Sequence, residues 1–191
     1  YNKLYGLGIP AELTYEPGGT ALGNETRRLL KKISDDNVVP EAELFLFAAC
    51  RAQLVAEIIQ PGLQKGKIVI CDRFTDSTIA YQGYGRGIQL ETIETINLIA
   101  TQSIKPNLTI LLDLPVAQGL DRKKAKNRDR FEDAELSFHR RVREGYQKLA
   151  AAEPERWMVI DATLSKAEIS NIIWNRVIQL MDLFHINYAK T

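Results

Sequence analysis

The sequence predicts an α/β fold built on a parallel sheet, because apolar strand-like runs alternate with segments of helical period. The run at residues 108–114 is apolar almost throughout, which is typical of a parallel strand buried on both faces. The β-branched run at 67–71 ends directly before Asp72 and Arg73. Because open α/β sheets bind ligands at the carboxyl ends of their strands, we predict a ligand site at that point.

The first half of the chain carries local signals for each of its elements. Residues 1–10 look like the last turns of a helix, because apolar positions at helical spacing are followed by glycines. The next elements are a strand at 11–15, a loop at 16–20, a helix at 24–33 and a helix from 40 to about 59. Pro61 and Gly62 are expected to break the last of these helices.

The second half continues the alternation of strands and helices. The predicted elements are a strand at 67–71, a helix at 90–100, a strand at 108–114, helices from 115 to about 126 and at 134–151, a strand at 158–161 and a helix at 166–184. This order favours a doubly wound, three-layer α/β/α arrangement in one domain that spans residues 1–191.

The composition excludes several classes of protein. With 45% apolar residues and a net charge of +1, the chain carries no global field that would favour nucleic acid or membranes. Its apolar runs are too short to span a bilayer, and no signal peptide is visible. Cys50 and Cys71 lie in apolar stretches, which indicates reduced core thiols and a cytoplasmic protein.

The acid and arginine that follow the second strand have a short list of uses. Asp72 can hold Mg²⁺, directly or through water, and Arg73 can donate two parallel hydrogen bonds to a phosphate. The alternative is a structural ion pair. In the loop at 16–20, Gly18 and Gly19 allow either a close approach to a ligand or a plain strand-to-helix turn.

Two further groups are candidates for binding. Phe47 and Arg51 are four residues apart, so both can face a base on one side of a helix. The alternative is a core phenylalanine and a solvated arginine. The basic run at 122–130 is either a solvated helix end or a lid whose cations meet phosphate oxygens on closure. His139 is interpreted as structural.

Five segments, in this order and spacing, resemble the thymidylate kinase family. They are Y-E-P-G-G-T at 15–20, L-F-A-A-C-R at 46–51, the segment 72–87 with D-R-F, Y-Q-G and R-G, the pair D-R-F-E at 129–132 and F-H-R-R-V-R-E-G-Y at 138–146, and V-I-D-A at 159–162. The resemblance implies a P-loop-kinase-like fold and transfer of a phosphoryl group from ATP to dTMP with Mg²⁺, giving dTDP and ADP.

The resemblance also implies a role at each matching position. On the base side, Phe47 would stack on thymine, Arg51 would donate to a base carbonyl, and Thr78 and Gln82 would read the base edge. The remaining substrate-binding residues would be Ser77, Tyr81, which would crowd a 2′-hydroxyl, and Arg27 and Glu16, on the phosphate and sugar side. The catalytic residues would be Asp72 at Mg²⁺, Arg73 at the dTMP phosphate, and Arg122, Lys124, Lys126 and Arg130 in a lid at about 121–133.

Three departures accompany this resemblance. Tyr15 stands where the family usually has an arginine, and lysines occupy lid positions that are often arginine. The P-loop pattern G-x-x-x-x-G-K-[ST] occurs nowhere in the 191 residues. We therefore expect an N-terminally truncated chain that lacks the central first strand and the P-loop, and that phosphorylates dTMP poorly. A natural homologue without the loop is the alternative.

Two other functions remain open at this point, namely a kinase for another deoxynucleotide and a non-catalytic nucleotide-binding homologue. The resemblance implies a homodimer. The helix that carries Phe47 and the helix at 90–100 are candidates for its interface, because both have more apolar positions than one face against a sheet requires. No nucleic-acid or membrane partner is expected.

Overall fold

The structure, a computed structural model, describes residues 1–32, 38–121 and 135–186. Its helices are α1 (Asn2–Gly6), α2 (Ala21–Lys32), α3 (Pro40–Leu54), α4 (Gln60–Gln64), α5 (Thr75–Thr78), α6 (Leu90–Thr101), α7 (Val116–Asp121), α8 (Leu136–Ala152) and α9 (Lys166–Leu183). Its strands are β1 (Ala11–Tyr15), β2 (Ile68–Asp72), β3 (Thr109–Asp113) and β4 (Trp157–Asp161). Two π-helical segments, Val55–Ile59 and Ile79–Gly85, follow α3 and α5.

All strand pairs in the described residues are parallel. β1 pairs with β2 in a register that sets Ala11 opposite Ile68, and β3 pairs with β4 in a register that sets Asp113 opposite Asp161. Within the described ranges the strands form two two-stranded sheets. Parallel neighbours need long crossover connections, which the intervening helices supply. The predicted α/β class with parallel strands is confirmed.

Helices cover both faces of β2. Ile68 and Ile70 pack against buried residues of α1 and α9. Val69 and Cys71 pack in the other direction, against buried residues of α3 and the first π-helical segment. Because successive side chains of a strand point to opposite faces, this alternation produces the three-layer arrangement that the sequence predicts.

The expected break at Pro61 and Gly62 is wrong. After α3 the chain widens into the π-helical segment Val55–Ile59 and then continues as α4, with Pro61 in its first turn. In the first turn of a helix the missing N–H of proline removes no helical hydrogen bond. Gly62 is buried against β2, where an added Cβ would lie 3.2 Å from Cγ2 of Val69.

The expectation that the third strand is buried on both faces is also wrong. Leu112 in β3 is 51% exposed, and the other residues of the strand are only partly buried. β3 pairs with β4 alone among the described strands, so part of its apolar surface stays uncovered.

No helix in the described part of the chain is long and apolar enough to cross a membrane.

Candidate active site

A cavity of about 270 Å³ lies beside the carboxyl ends of β1 and β2. Glu16 directly follows β1 and Arg73 directly follows β2, so the paired strands deliver both side chains to one place. The cavity is lined by Arg73 and by all eight predicted substrate-binding residues: Glu16, Arg27, Phe47, Arg51, Ser77, Thr78, Tyr81 and Gln82. Segments that are distant in the sequence therefore meet at the predicted edge.

Glu16 and Arg51 form an ion pair in the wall of this cavity. Nε and Nη2 of Arg51 both donate to the carboxylate, with an Nη2–Oε2 distance of 2.5 Å. The two side chains are only 3% and 1% exposed. Burial raises the pKa of Glu16 above its usual value, and the adjacent Arg51 guanidinium opposes that rise. The pair fastens α3 to the loop that follows β1.

Asn97 in α6 holds the third nitrogen of the same guanidinium. Nη1 of Arg51 donates to Oδ1 of Asn97 over 2.6 Å, and Nδ2 of Asn97 donates to the backbone oxygen of Thr75 over 3.5 Å. Asn97 is 5% exposed. Arginine carries five N–H groups, so donors remain for a ligand after these contacts. No motif in the sequence marked Asn97 as a residue of the site.

The loop after β1 has a backbone that only glycine adopts readily. Gly18 has φ of +144° and Gly19 has φ of +77°. A Cβ on Gly19 would also lie 2.5 Å from Oγ1 of Thr14. In this conformation the carbonyl of Pro17 accepts a hydrogen bond from Nη1 of Arg27 over 3.0 Å. The loop therefore orients Arg27 towards the cavity.

Tyr15 stands where the resemblance led us to expect an arginine, and its ring contacts the guanidinium of Arg27. Its hydroxyl donates to Oδ1 of Asn24 over 3.0 Å, and the Arg27 guanidinium lies 5.5 Å from the centre of its ring. This is cation–π distance, so Tyr15 supports Arg27 and supplies no charge of its own.

Arg73 has a strained backbone, with φ of +67° at a residue that is not glycine. Its Nη2 lies 3.4 Å from the hydroxyl of Tyr81, and its guanidinium lies 5.1 Å from the centre of the Tyr81 ring. Strain of this kind clusters at functional sites, where the surrounding contacts maintain it. The contact with Tyr81 holds the guanidinium at the cavity, where it remains exposed to a ligand.

Tyr146 of α8 supports the residues that follow β2. Its hydroxyl donates to Oγ of Ser77 over 2.8 Å, and its ring lies edge-on to Tyr81 with 6.4 Å between ring centres. Burial raises the pKa of Tyr146 to about 12, so the phenol keeps its proton at neutral pH. This donor therefore fixes the Ser77 hydroxyl beside the cavity.

Gln82 meets a buried carboxylate on α3. Its Nε2 donates to Oε1 of Glu43 over 2.8 Å, and the two side chains are 2% and 1% exposed. Arg86 pairs with the same carboxylate, with an Nη2–Oε2 distance of 3.3 Å. Gln82 was predicted as a site residue, whereas Glu43 and Arg86 were not.

A second buried cluster anchors α5 to the sheet. Nη1 and Nη2 of Arg156 donate to the two carboxylate oxygens of Asp76 over 2.8 Å and 2.9 Å. Thr109 joins both residues, since its Oγ1 donates to Asp76 over 3.0 Å and accepts from Arg156 over 2.7 Å. Asp76 directly precedes Ser77, so this cluster ties the cavity wall to the first residue of β3 and the residue before β4.

Asp72 ends β2 outside the cavity lining, with an exposed side chain and a backbone oxygen that accepts from the Glu16 N–H over 2.9 Å. Among the residues that the structure describes, no three or more His, Cys, Asp or Glu side chains are grouped to hold a metal ion. Mg²⁺ usually takes one or two carboxylates together with waters and substrate phosphates. A single exposed carboxylate at the strand end fits that donor set.

Not every predicted residue can be placed, and some lining residues were not predicted. The lid residues Arg122, Lys124, Lys126 and Arg130 lie outside the described residues. His139, interpreted from the sequence as structural, lines the cavity with its ring edge-on to Phe138 at 5.6 Å between centres. The other unpredicted lining residues are Pro17, Leu30 and Lys31.

Three comparisons with known proteins agree with one another. The family model for thymidylate kinase matches residues 1–173. A thymidylate kinase from Dehalococcoides mccartyi is 49% identical over 183 residues, which cover 96% of this chain and 88% of that protein. One from Synechococcus sp. is 54% identical over 164 residues, covering 86% and 78%. A crystal structure of thymidylate kinase from Ehrlichia chaffeensis has a TM-score of 0.69 and 34% identity over 90% of this chain and 84% of that one.

The comparisons do not bear out the expectation that the family's first strand and P-loop are missing. The impaired activity that was expected from such a loss stays an untested prediction.

Proposed function

The chain belongs to the thymidylate kinase family, and we propose that the cavity beside β1 and β2 is the acceptor site of its reaction. The activity of the family is ATP-dependent phosphorylation of dTMP to dTDP. The observation that supports the proposal is that all eight predicted substrate-binding residues line one cavity. The alternative of a non-catalytic binding module has no support from the relatives, which carry the name of an enzyme.

The base of dTMP binds between α3 and the segment after β2. Phe47 supplies a flat face for stacking, and Arg51 supplies N–H donors for a base carbonyl. Thr78 and Gln82 are almost fully buried at 2% exposed each, so a base edge that meets them is shielded from water. Hydrogen bonds made in such a shielded site discriminate strongly between substrates.

The sugar and phosphate of dTMP lie towards Tyr81 and the two cavity arginines that do not pair with Glu16. Arg73 donates to the phosphate with a planar fork, and Arg27 adds a second cation from α2. Tyr81 occupies space beside the sugar and disfavours a 2′-hydroxyl. Ser77, which is held by Tyr146, lines the same wall. Glu16 acts mainly by orienting Arg51.

Mg²⁺ and the lid complete the reaction. Asp72 would hold Mg²⁺ through water or directly, and the ion would neutralise charge on the phosphates. Arg122, Lys124, Lys126 and Arg130 lie outside the described residues, and we assign them, from the resemblance, to a lid that would neutralise charge on the transferring phosphoryl group. Phosphoryl transfer needs in-line positioning and charge stabilisation, which such residues supply.

The proposal is tested by comparing phosphoryl acceptors in a kinetic assay of the complete protein. ADP release from Mg·ATP is measured with dTMP, dUMP and dGMP in turn, and dTMP should give the highest kcat/KM. The 5-methyl group alone is expected to favour dTMP over dUMP by roughly 10-fold, the effect of one methyl in an apolar pocket. A clear preference for dGMP, or ADP release that does not depend on the acceptor, would refute the assignment.

A variant pair links that activity to the cavity. Arg73→Lys keeps the charge and loses the fork, so it should raise KM for dTMP, by about 10-fold for one lost charge-assisted bond. Arg176→Lys, at a partly exposed arginine of α9 outside the cavity lining, is the matched control and should leave KM unchanged. Equal changes in KM for dTMP in the two variants would contradict the placement of Arg73 in the acceptor site.

We further propose that the protein is a homodimer that pairs through α3 and α6. Phe45 in α3 is 60% exposed, and Leu98 and Ile99 in α6 are 59% and 74% exposed. Large apolar side chains exposed on two helices that contact each other through Arg51 and Asn97 support an interface there.

A further inference from the structure

The contact between Gln82 and Glu43 joins two side chains that are both removed from water. Glu43 lies in the first turn of α3, and Gln82 lies in the π-helical segment Ile79–Gly85. The Nε2–Oε1 distance of 2.8 Å is that of a good hydrogen bond. Glu43 does not line the cavity, whereas Gln82 does.

The chemistry of the two groups determines which way the amide of Gln82 faces. A carboxylate accepts hydrogen bonds and cannot donate them, so only the NH₂ end of the amide can face Glu43. Arg86 lies beside the same carboxylate, which keeps its charge compensated inside the protein. The carbonyl end of Gln82 is therefore the end that the amide offers to the cavity.

We propose that Glu43 is a specificity-determining positioning residue that acts through Gln82. This inference rests on the proposed function of the cavity as a dTMP site. With its orientation fixed, Gln82 presents an acceptor to the base edge. Thymine and uracil have an N–H at ring position 3 and satisfy that acceptor. Cytosine has a bare acceptor nitrogen at the same position and does not.

Discrimination against cytosine follows from what Gln82 cannot do. To pair with cytosine the amide would have to turn and place its carbonyl oxygen against the Glu43 carboxylate. Two acceptors would then face each other in a buried site, and unpaired buried polar groups are strongly unfavourable. Rejection of the wrong base thus comes from a residue that never touches it.

The test compares equilibrium binding of dTMP and dCMP by titration calorimetry, which needs no turnover. Glu43→Gln has the same shape, but its own amide can donate or accept, so Gln82 becomes able to turn. We expect the ratio of the dCMP and dTMP dissociation constants to fall by roughly 10- to 100-fold, the range for one buried polar group left unpaired. Gln82→Leu should lower the same ratio.

A double variant separates positioning from a general structural effect. If Glu43 acts through Gln82, adding Glu43→Gln to Gln82→Leu should leave the ratio where Gln82→Leu alone has put it. Further loss of discrimination in the double variant would mean that Glu43 acts by another route. A ratio of dissociation constants that stays at the wild-type value in folded Glu43→Gln would overturn the inference.

Two safeguards keep the outcomes distinguishable. Wild-type protein that binds dCMP as well as dTMP would contradict the proposed function itself, before Glu43 is considered. Arg86 is 28% exposed and can reach water when Glu43 is neutral, so Glu43→Gln should fold. If it does not, Glu43→Gln with Arg86→Gln leaves no unpaired charge and carries the same expectation for the binding ratio.

Discussion

Arg51 in α3 and Asn97 in α6 are joined by a 2.6 Å hydrogen bond between Nη1 and Oδ1, in a region closed to water. Because Glu16 occupies the other side of the guanidinium, these two partners fix the orientation of the arginine before any ligand arrives. Preorganised donors bind a ligand without a further ordering penalty. Helix α6, one of the two helices proposed for the dimer interface, is thus connected directly to the proposed base site.

Asn97→Ala should therefore weaken dTMP binding although Asn97 does not line the cavity. We expect the dissociation constant to rise by roughly 10- to 150-fold, as for loss of one hydrogen bond to a charged group, with little change in kcat. The measurement is dTMP titration together with steady-state kinetics. Asn175→Ala, at an exposed position of α9 outside the cavity lining, is the control. Unchanged affinity in Asn97→Ala would show that Glu16 alone orients Arg51.

Phe47→Ala removes the proposed stacking surface. Loss of one base–aromatic stack should weaken dTMP binding by about 1–3 kcal/mol. Phe184→Ala is the matched control, since Phe184 is 52% exposed after the end of α9 and does not line the cavity. Both variants are compared by titration with dTMP. If Phe184→Ala weakens binding as much as Phe47→Ala does, the effect is not specific to the cavity and stacking on Phe47 is refuted.

Local motifs carried the prediction of the site residues. The resemblance of their segments implied Glu16, Arg27, Phe47 and Tyr81, and all four line one cavity at the carboxyl ends of the parallel strands β1 and β2. Partners such as Glu43 and Asn97 were missed, because a polar residue in an amphipathic helix looks solvated until its tertiary neighbours are known. The continuation of the helix past Pro61 was missed because a π-helical turn has no simple sequence signature.

Asp76→Asn tests the cluster that ties α5 to the sheet. Arg156 would lose a carboxylate partner in a site where both side chains are about one-tenth exposed, and removal of one partner from a buried pair destabilises by about 3 kcal/mol. Because Asp76 precedes Ser77, KM for dTMP should rise as well. Urea unfolding gives the first quantity. Lys105→Ala, which removes an exposed partner of Glu153, should change stability by less than about 1 kcal/mol.

Ile99→Glu tests the proposed dimer. A buried, unpaired carboxylate at the interface should shift the protein to monomer at micromolar concentration, as measured by sedimentation equilibrium. Leu183→Glu is the matched control, because Leu183 is 68% exposed on α9 and lies away from α3 and α6 in the chain. A wild-type protein that sediments as a monomer would contradict the dimer, and dissociation by both substitutions would contradict the location on α6.

Glu153 makes the stability of the protein depend on pH in the acid range. Hydrogen bonds from Arg156 and Lys105 lower the pKa of Glu153 to about 2 from its usual value of 4.5. Because the folded-state pKa is depressed, this contribution is fully present above about pH 4.5 and is lost as the pH falls towards 2.

The side chain of Glu153 is 37% exposed, so screening by water limits that contribution to about 1 kcal/mol. Thermal melts of Glu153→Gln should therefore show a smaller drop in Tm between pH 5 and pH 2 than wild-type melts do, roughly 2–4 °C smaller for this energy in a chain of this length. Glu144→Gln, which breaks an exposed pair with Lys148, should leave the slope unchanged. An acid slope in Glu153→Gln as steep as that of wild type would show that other carboxylates carry it.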